Sequence, residues 1–464
     1  MRIPGLAVAA VAAVGLMTLC ADARAQRRPP NIVVIVADDM GYGDVGAYGG
    51  TDIPTPSIDA LARGGIRFTD AYVSGPVCSP TRAGLMTGRY QQRFGHEFNV
   101  GLTSIGSDLG LSLEERTIAD YLKAAGYRTA LFGKWHLGFA PQFHPMERGF
   151  DEFFGFLAGA HSYMSPQAAG PNPVYDGRAR ASEMQYLTDE LANRAVEFIH
   201  RNRAQPFLLY LAFNAVHVPL QVTEKYVARF AGIADPQRRT YAAMLSAMDD
   251  AIGRTLGALS EEQLDDRTLI FFFSDNGGPT TAGGINGSRN APLRGSKGET
   301  LEGGVRVPFI IRWKGRLPEG KVDARPIMQI DVLPTSLAAA GVTPLPERRL
   351  DGVNLLPFLT GERAGPPHDA LYWRSGWSMA IRKGDWKLVK VAARGTQADS
   401  GVVTDLTGAA LYNLRDDIAE LTDLAAKYPN KVKELGADWT QWTKELAMPR
   451  WRPPRPQGPP ESGS

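Results

Sequence analysis

Four short apolar runs occur along the chain, and segments with helical periodicity stand between them. Each run is rich in Val, Ile, Leu or Phe without polar alternation, which is typical of strands buried on both faces of a parallel sheet. The alternation of strands and helices predicts an α/β domain built around a mostly parallel sheet. The predicted strands are Ile32–Ala37, Thr129–Phe132, Phe207–Phe213 and Leu269–Phe273, and the predicted helices are Thr117–Ala125, Tyr186–Asn202 and Tyr241–Leu259.

A second pattern begins near Ala370, where short apolar runs are separated by tight turns. It predicts a small antiparallel sheet with one packed helix, resting on the large domain. We therefore expect a large domain over residues 26–365, a C-terminal subdomain over 366–449 and a disordered Pro-rich tail over 450–464. The strands expected in the subdomain are Ala370–Trp373, Ser378–Arg382, Trp386–Val389 and Leu411–Leu414, and the expected helix is Tyr428–Leu446.

Residues 1–25 have the pattern of a cleavable export signal. Arg2 precedes an apolar stretch from Leu6 to Leu19, and Ala23-Arg24-Ala25 is a small-x-small cleavage site. A stretch of about fifteen apolar residues is too short to favour a membrane span. We expect the export machinery to deliver the chain to the periplasm or the medium, with cleavage after Ala25 and no stable membrane insertion. A lipoprotein acylated at Cys20 is the weaker interpretation because Leu19 is bulky.

Composition adds little beyond this, except for cysteine. Apolar residues make up 44%, charged residues 22%, and the net charge is +2, which is ordinary for a globular protein and gives no reason to expect nucleic-acid binding. Of the two cysteines, Cys20 lies in the signal, so Cys78 is left without a partner in an oxidising compartment. Lone cysteines are often simply buried. Pro80 nevertheless predicts that a helix starts here, and its positive end beside Arg82 favours a reactive side chain.

Polar residues follow each of the four predicted strands. In open α/β sheets, ligands bind outside the carboxyl ends of the strands. Each residue alone has a structural interpretation as a helix cap, a turn or a buried histidine. Together they predict one site at one rim of the sheet. They are Asp38 and Asp39 after the first strand, Lys134 and His136 after the second, Asn214 and His217 after the third, and Asp275 and Asn276 after the fourth.

The chemistry of this set indicates a metal beside an anion. Asp38, Asp39, Asp275 and Asn276 offer only oxygen ligands, which suit calcium or magnesium better than zinc. Lys297 follows in a glycine-rich loop, and lysines, histidines and arginine around a helix N-terminus suit a tetrahedral oxyanion. From the residues alone, phosphate and sulfate both remain open.

The run from Cys78 to Gly88, C-S-P-T-R-A-G-L-M-T-G, contains a C-x-P-x-R signature, and with it the chain resembles the sulfatase family of the alkaline-phosphatase-like superfamily. The resemblance implies an alkaline-phosphatase-like large domain and hydrolysis of aryl or carbohydrate sulfate esters to alcohol and inorganic sulfate. It covers nearly the whole mature chain. Its other segments are Asn31–Gly43, Gly133–Gly138, Ser274–Gly278, Leu293–Pro308 and Leu411–Leu414.

The same resemblance implies a modified nucleophile and a role for each site residue. A formylglycine-generating enzyme would convert Cys78 to formylglycine (3-oxoalanine), whose hydrate attacks sulfur and forms a covalent sulfoenzyme. Arg82 would fix the hydrated aldehyde, and His136 would help to remove a proton so that sulfate leaves. Lys134, His217 and Lys297 would bind the sulfate oxygens, with His217 or Lys297 protonating the leaving alcohol. One calcium ion, in preference to magnesium, would be held by Asp38, Asp39, modified Cys78, Asp275 and Asn276.

Two other functions remain open. A phosphodiesterase or phosphonate monoester hydrolase of the same superfamily can use the same signature, and a non-catalytic periplasmic anion-binding protein could keep the pocket. Two further segments, Arg89–Glu97 and Gly159–Tyr163, are candidates for the substrate mouth, although an ordinary structural role is at least as good an interpretation. His144, His200 and His368 have no assigned role.

Overall fold

A ten-stranded sheet runs through the large domain of the computed structural model, which describes residues 29–167, 172–281, 285–392 and 401–452. The strands lie in the order β11-β2-β10-β9-β1-β8-β4-β5-β6-β7, and β3 and β12 form a separate two-stranded ladder. The bounds are β1 (Asn31–Ala37), β2 (Ile66–Phe68), β3 (Ala71–Tyr72), β4 (Arg128–Lys134), β5 (Glu152–Phe156), β6 (Tyr175–Asp176), β7 (Ala179–Arg180), β8 (Phe207–Ala212), β9 (Thr268–Ser274), β10 (Phe309–Arg312), β11 (Lys321–Asp323) and β12 (Ile327–Met328).

The middle of this sheet is parallel, as the sequence predicts. β9, β1, β8, β4 and β5 run in one direction, whereas β10 is antiparallel to both of its neighbours. All residues of β1 are buried, because Val33 and Ile35 face one hydrophobic core and Ile32 and Val34 face the other. The prediction of an α/β fold with a mostly parallel sheet is confirmed.

Helices cover both faces of the sheet. α1, α4 and α6 pack against one core, and α2, α3 and α8 against the other. The helix predicted from Tyr241 begins earlier, because Asp235 caps its polar first turn by accepting a hydrogen bond from Gln237 N at 3.0 Å. The helices are α1 (Pro56–Arg63), α2 (Cys78–Thr87), α3 (Ile118–Ala124), α4 (Leu187–Asn202), α5 (Glu224–Val227), α6 (Pro236–Glu261), α7 (Glu302–Val305), α8 (Val332–Ala340), α9 (Leu356–Leu359) and α10 (Pro429–Thr443).

The C-terminal part forms the expected four-stranded antiparallel sheet, with α10 packed on it. Its core includes residues of the large domain, such as Tyr72 and Val305. Trp373 is buried and donates its indole N–H to Val73 O at 2.7 Å. The two parts therefore share one hydrophobic interface. The strands are β13 (Leu371–Ser375), β14 (Ser378–Lys383), β15 (Trp386–Lys390) and β16 (Ala410–Asn413).

The ends of the chain are only partly described. The predicted export signal, residues 1–25, lies outside the described residues, and so do residues 453–464 of the predicted tail. The first residues assigned to that tail are packed: Arg450 donates to Gly110 O at 3.0 Å, and Trp451 donates to Phe98 O at 3.1 Å. No helix within residues 29–452, as far as they are described, combines the length and the apolar character needed to cross a bilayer.

Candidate active site

The loops that follow β1 and β8 are joined by the backbone of Asp38. Its N–H donates to Ala215 O at 2.9 Å, and its carbonyl accepts from Val216 N at 2.7 Å. Asp39 follows with φ of +62°, in the left-handed region that favours glycine. Such backbone strain is retained where the surroundings impose it, often at functional sites.

Helix α2 starts at Cys78 and brings this residue to the same place. Cys78 Sγ lies 3.4 Å from Asp38 Oδ1 and 3.4 Å from Lys297 Nζ. Burial, together with the carboxylates of Asp275 and Asp38, raises the pKa of the Cys78 thiol to about 12. In the unmodified side chain, desolvation and the two carboxylates thus outweigh the helix end, from which the sequence predicts a reactive thiol.

Arg82, one turn further along α2, is fully buried and connects three strands. Its Nε and Nη2 both donate to Asp275 Oδ2, at 3.0 and 2.8 Å. Its Nη1 donates to Lys134 O at 3.1 Å and to the hydroxyl of Tyr210 at 3.3 Å. Arg82 thus fixes the ends of β9 and β4 against helix α2. Tyr210 was not predicted, because on β8 it is indistinguishable from a core residue.

Two lysines neutralise the carboxylates after β1. Lys134 Nζ lies 2.6 Å from Asp38 Oδ2. Lys297 Nζ lies 2.7 Å from Oδ1 and 2.9 Å from Oδ2 of Asp39. Burial opposes ionisation of Asp38, but the positive charges of Lys134, His217, Arg82 and Lys297 together hold its pKa well below the usual range. With Arg82 and Asp275 the site contains three cations and three carboxylates, so a divalent cation and a sulfate could enter together with little change in net charge.

The acidic side of the site offers ligands for a metal ion. One ligand atom from each of Asp38, Asp39, Cys78 and His217 lies within 4.8 Å of the others. Asn276 donates its amide to Asp39 Oδ1 at 2.6 Å, while its own Oδ1 is buried without a hydrogen-bond partner. Because a buried amide oxygen normally accepts a hydrogen bond, this unpartnered acceptor on a side chain that contacts Asp39 suits a hard cation.

His217 is oriented by the backbone. Its Nδ1 donates to Val218 O at 2.6 Å, which leaves Nε2 facing Asp39 Oδ2 at 3.5 Å. The Tyr163 hydroxyl contacts Asn214 O and lies 2.8 Å from His217 O, and so ties the loop that starts at Gly159 to this turn. Burial lowers the pKa of His217, and Asp39 opposes the shift.

His136 is held by contacts on both sides. Its φ is +61°, and its carbonyl accepts from Ser79 Oγ at 2.7 Å. Ser79 Oγ in turn accepts from His96 Nε2 at 2.6 Å. Gly159 packs beneath the ring, where an added Cβ would lie 2.7 Å from His136 Cε1. Burial, with the charges of Lys134 and Arg82, holds the pKa of His136 well below its usual value.

All the catalytic and metal candidates taken from the sequence converge on this region, but the secondary candidates divide. In Arg89–Glu97 the charged side chains are structural: Arg89 pairs with Glu115, Arg93 with Asp351, and Glu97 with Arg374. By contrast, Gly159 and Tyr163 contact the site histidines, as described above.

The three histidines without an assigned role lie outside the site. His144 Nδ1 accepts a hydrogen bond from Met146 N, His200 contacts Glu262, and His368 contacts Asp331.

Three residues support the site in roles that were not predicted: Ser79, His96 and Tyr210. Ser79 occupies the first of the two variable positions of the signature, and His96 lies after α2 in the candidate segment Arg89–Glu97. Their roles depend on tertiary contacts with His136 and Arg82, and sequence spacing does not report such contacts.

Comparison with known proteins agrees with this geometry. The sulfatase family profile matches residues 30–342. The chain is 35% identical over 384 residues to N-acetylgalactosamine-6-sulfatase of Canis lupus familiaris, covering 78% of this chain and 71% of that protein. It is 33% identical over 485 residues to arylsulfatase G of Rattus norvegicus, covering 91% and 89%.

Among solved structures, Ps i-CgsB in complex with k-i-k-neocarrahexaose superposes with a TM-score of 0.83 at 36% identity, covering 92% of this chain and 95% of that one. The profile match over residues 30–342 contains helix α2, the acidic strand ends and the Lys297 loop. This chain is a member of the sulfatase family, the sulfuric ester hydrolases of alkaline-phosphatase-like fold.

Proposed function

We propose that the protein hydrolyses sulfate esters of carbohydrates, with a formylglycine made from Cys78 as nucleophile and calcium as the metal. One observation carries the proposal: Cys78 Sγ lies between Asp38 Oδ1 and Lys297 Nζ, each at 3.4 Å. A group on this side chain would thus face the acidic metal ligands on one side and a cation on the other. The raised pKa of the thiol argues that cysteine itself is not the nucleophile.

The conversion of Cys78 replaces its Cβ–S bond by a carbonyl, a two-electron oxidation. Sulfur leaves as sulfide, and the formylglycine-generating enzyme supplies the reaction with an external oxidant such as dioxygen. Once hydrated, formylglycine supplies one hydroxyl as the nucleophile toward sulfur and a second whose deprotonation expels sulfate and restores the aldehyde.

The proposed metal ligands are Asp38, Asp39, Asp275, Asn276 and modified Cys78. Calcium is favoured because these ligands are oxygens and the Asn276 amide oxygen is free to accept. When bound, the ion supplies positive charge that offsets the charge developing on the nucleophile and on the sulfate oxygens. Chelation is expected to abolish activity, and calcium is expected to restore it better than magnesium.

The cationic and imidazole side chains take the remaining roles. Lys134 and Lys297, whose ammonium groups already contact Asp38 and Asp39, would hold sulfate oxygens together with His217. Either His217 or Lys297 would protonate the leaving alcohol. His136, which burial keeps neutral, would accept the proton that must leave the second hydroxyl.

A carbohydrate sulfate is the proposed substrate class. N-acetylgalactosamine-6-sulfatase is named for a sugar sulfate, and Ps i-CgsB binds k-i-k-neocarrahexaose. Both proteins align with most of this chain, which supports a sugar sulfate over a small aryl sulfate. We also propose that the protein is exported, on the strength of the signal pattern in residues 1–25.

Parallel assays separate this function from its alternatives. The wild type should release sulfate from a sulfated oligosaccharide and from an aryl sulfate, with much lower efficiency toward an aryl phosphodiester. Equal efficiency toward the phosphodiester would favour the phosphodiesterase. Cys78→Ala should keep the fold and lose hydrolysis. Tight sulfate binding by a fully modified wild type without any turnover would favour the anion-binding protein.

A further inference from the structure

A second basic cavity lies away from the candidate active site, at the edge of the large sheet. It has a volume of about 300 Å³ and opens between α1, the edge strand β11 with its neighbour β2, and the 3₁₀ turn Gly46–Tyr48. Arg63, Arg67 and Lys321 line it, and Asp59 is its one acidic lining residue. None of its lining residues belongs to the site at the ends of β1, β4, β8 and β9.

The two arginines are not neutralised by the protein. Within the part of the chain that the structure describes, neither Arg63 nor Arg67 forms an ion pair or a hydrogen bond through its side chain. Lys321 Nζ approaches Asp323 Oδ2 at only 3.5 Å, and that carboxylate is already bound by Arg325. Three cations therefore face a cavity with a single carboxylate.

The Asp59 carboxylate already accepts hydrogen bonds from the protein. Asp59 Oδ1 accepts from Ala47 N at 2.7 Å and from Thr55 Oγ1 at 3.1 Å. Those bonds direct it to the Gly46–Tyr48 turn, and Asp59 makes no ion pair with Arg63, one turn further along α1. The cavity keeps a surplus of positive charge, although the whole chain carries only +2.

Arg67 is also held in place. Its guanidinium carbon lies 5.3 Å from the centre of the Tyr48 ring, and the Tyr48 hydroxyl is fixed by Phe309, donating to its carbonyl at 2.7 Å and accepting from its N–H at 2.8 Å. Contact with a fixed ring restricts the movement of the guanidinium, whose planar set of N–H groups suits an oxyanion.

We propose that this cavity binds a tetrahedral oxyanion through the guanidinium groups of Arg63 and Arg67. Lys321 adds positive charge. Sulfate is the probe used in the test. Planar guanidinium forks match two oxygens of such an anion, and its charge, about −2 for free sulfate and about −1 for a sulfate ester, offsets the surplus. The anion is either free in solution or carried as a sulfate group on a polysaccharide strand that crosses the sheet edge. The site stands on its own residues and does not depend on the proposed catalytic function.

The test uses the full-length Cys78→Ala protein, in which no turnover occurs, with and without Arg63→Gln/Arg67→Gln. Arg116→Gln, which removes another exposed arginine, is the matched control. Crystals soaked in selenate should show an anomalous peak in the cavity, and the double variant should lose it while keeping its unfolding temperature. The affinities for inorganic sulfate and for a chondroitin sulfate hexasaccharide are measured at constant ionic strength.

Loss of a charge-assisted contact should weaken binding at the cavity by about 10-fold or more. If the double variant binds both sulfate and the hexasaccharide more weakly, the cavity takes the free anion. If its affinity falls only for the hexasaccharide, the anion is carried on a polysaccharide chain. Either result supports the proposal. No loss for either probe, or a selenate peak without measurable affinity in solution (an adventitious ion only), overturns it. If the double variant is unstable, Arg63→Gln alone, at the exposed end of α1, gives the same comparison.

Discussion

The ammonium group of Lys297 lies 3.4 Å from the sulfur of Cys78 and also contacts both carboxylate oxygens of Asp39. Lys297 comes from a glycine-rich loop, whereas Cys78 starts a helix on another part of the chain. In the proposed reaction, this contact brings a proton donor close to the place where the leaving alcohol departs from the sulfur atom of the sulfate ester.

Replacing Lys297 by Ala should therefore lower kcat by a factor that depends on how strongly the leaving alcohol needs a proton. General acid catalysis contributes about 10²–10⁴-fold, so kcat for a sugar sulfate should fall by about that factor. An aryl sulfate with an acidic phenol needs less protonation and should lose much less. The measurement is kcat for both substrates in Lys297→Ala and in His217→Ala. If Lys297→Ala slows both substrates equally, Lys297 only binds sulfate, and His217 becomes the candidate acid.

The same loop is anchored by a buried charge cluster beneath the small sheet. Lys387, which is fully buried, contacts Glu302 Oε1 at 2.8 Å and Glu420 Oε1 at 3.0 Å. Glu420 also accepts from Glu302 N at 2.7 Å, at the start of α7. Breaking a buried pair by removing one partner is strongly destabilising, because the remaining charge is left uncompensated.

Lys387→Met should accordingly lower the free energy of unfolding by about 3–5 kcal/mol. Lys433→Met removes an exposed lysine from α10 and should change it by less than about 0.5 kcal/mol. Urea unfolding of the two variants and the wild type gives the comparison. Equal stabilities for the two variants would show that Lys387 does not hold the cluster.

Gly159 is predicted to be required for the position of His136. A Cβ at residue 159 would lie 2.7 Å from His136 Cε1, so Gly159→Ala must displace the ring. Displacing a reacting group by about 1 Å can cost about 10²-fold, so we expect kcat to fall by about 10- to 10²-fold with little change in unfolding temperature. Gly257→Ala, in open space on α6, is the control and should keep full activity. Normal kcat in Gly159→Ala would contradict the proposed role of His136.

His368 should make stability depend on pH. It is mostly buried, and its Nε2 lies 2.8 Å from Asp331 Oδ1. Although burial lowers the pKa of His368, the Asp331 carboxylate outweighs it and the net shift is upward, with Asp351 and Asp369 adding to the rise. Because the folded pKa exceeds the unfolded value of about 6.5, the stabilisation is complete below that pH and is lost as pH rises through the folded value.

His368→Gln, which cannot titrate, should flatten this part of the stability curve. The free energy of unfolding of the wild type should exceed that of the variant most at about pH 6, and the gap should narrow as pH rises. Urea unfolding at a series of pH values provides the measurement. Parallel curves would mean that His368 carries no extra proton in the folded state.

The main elements and the composition of the site could be predicted because each depends on local pattern. Buried parallel strands such as β1 appear as apolar runs, and the residues after them must share one rim of the sheet. The helix at Cys78 follows from Pro80 alone. The start of α6 was missed because its first turn is polar and its cap, Asp235, carries no apolar periodicity.

What could not be predicted are contacts that only folding creates. The resemblance places Arg82 beside the residue-78 side chain, but it does not reveal that the Arg82 nitrogens donate to Asp275, Tyr210 and the carbonyl of Lys134. The thiol of Cys78 appeared activated by the helix end, yet its surroundings raise its pKa. Net electrostatics at a buried group depend on every charge that surrounds it, and sequence spacing gives only the nearest ones.

The central claim is that residue 78 acts as formylglycine, and the mass of one peptide tests it most directly. Trypsin releases Phe68–Arg82 from protein made in its native host or together with a formylglycine-generating enzyme. The peptide should have lost one sulfur and two hydrogens and gained one oxygen, and it should react with an aldehyde reagent. Across preparations, kcat should rise in proportion to the fraction of the protein in which residue 78 is formylglycine. An intact thiol at Cys78 in fully active protein would contradict the claim.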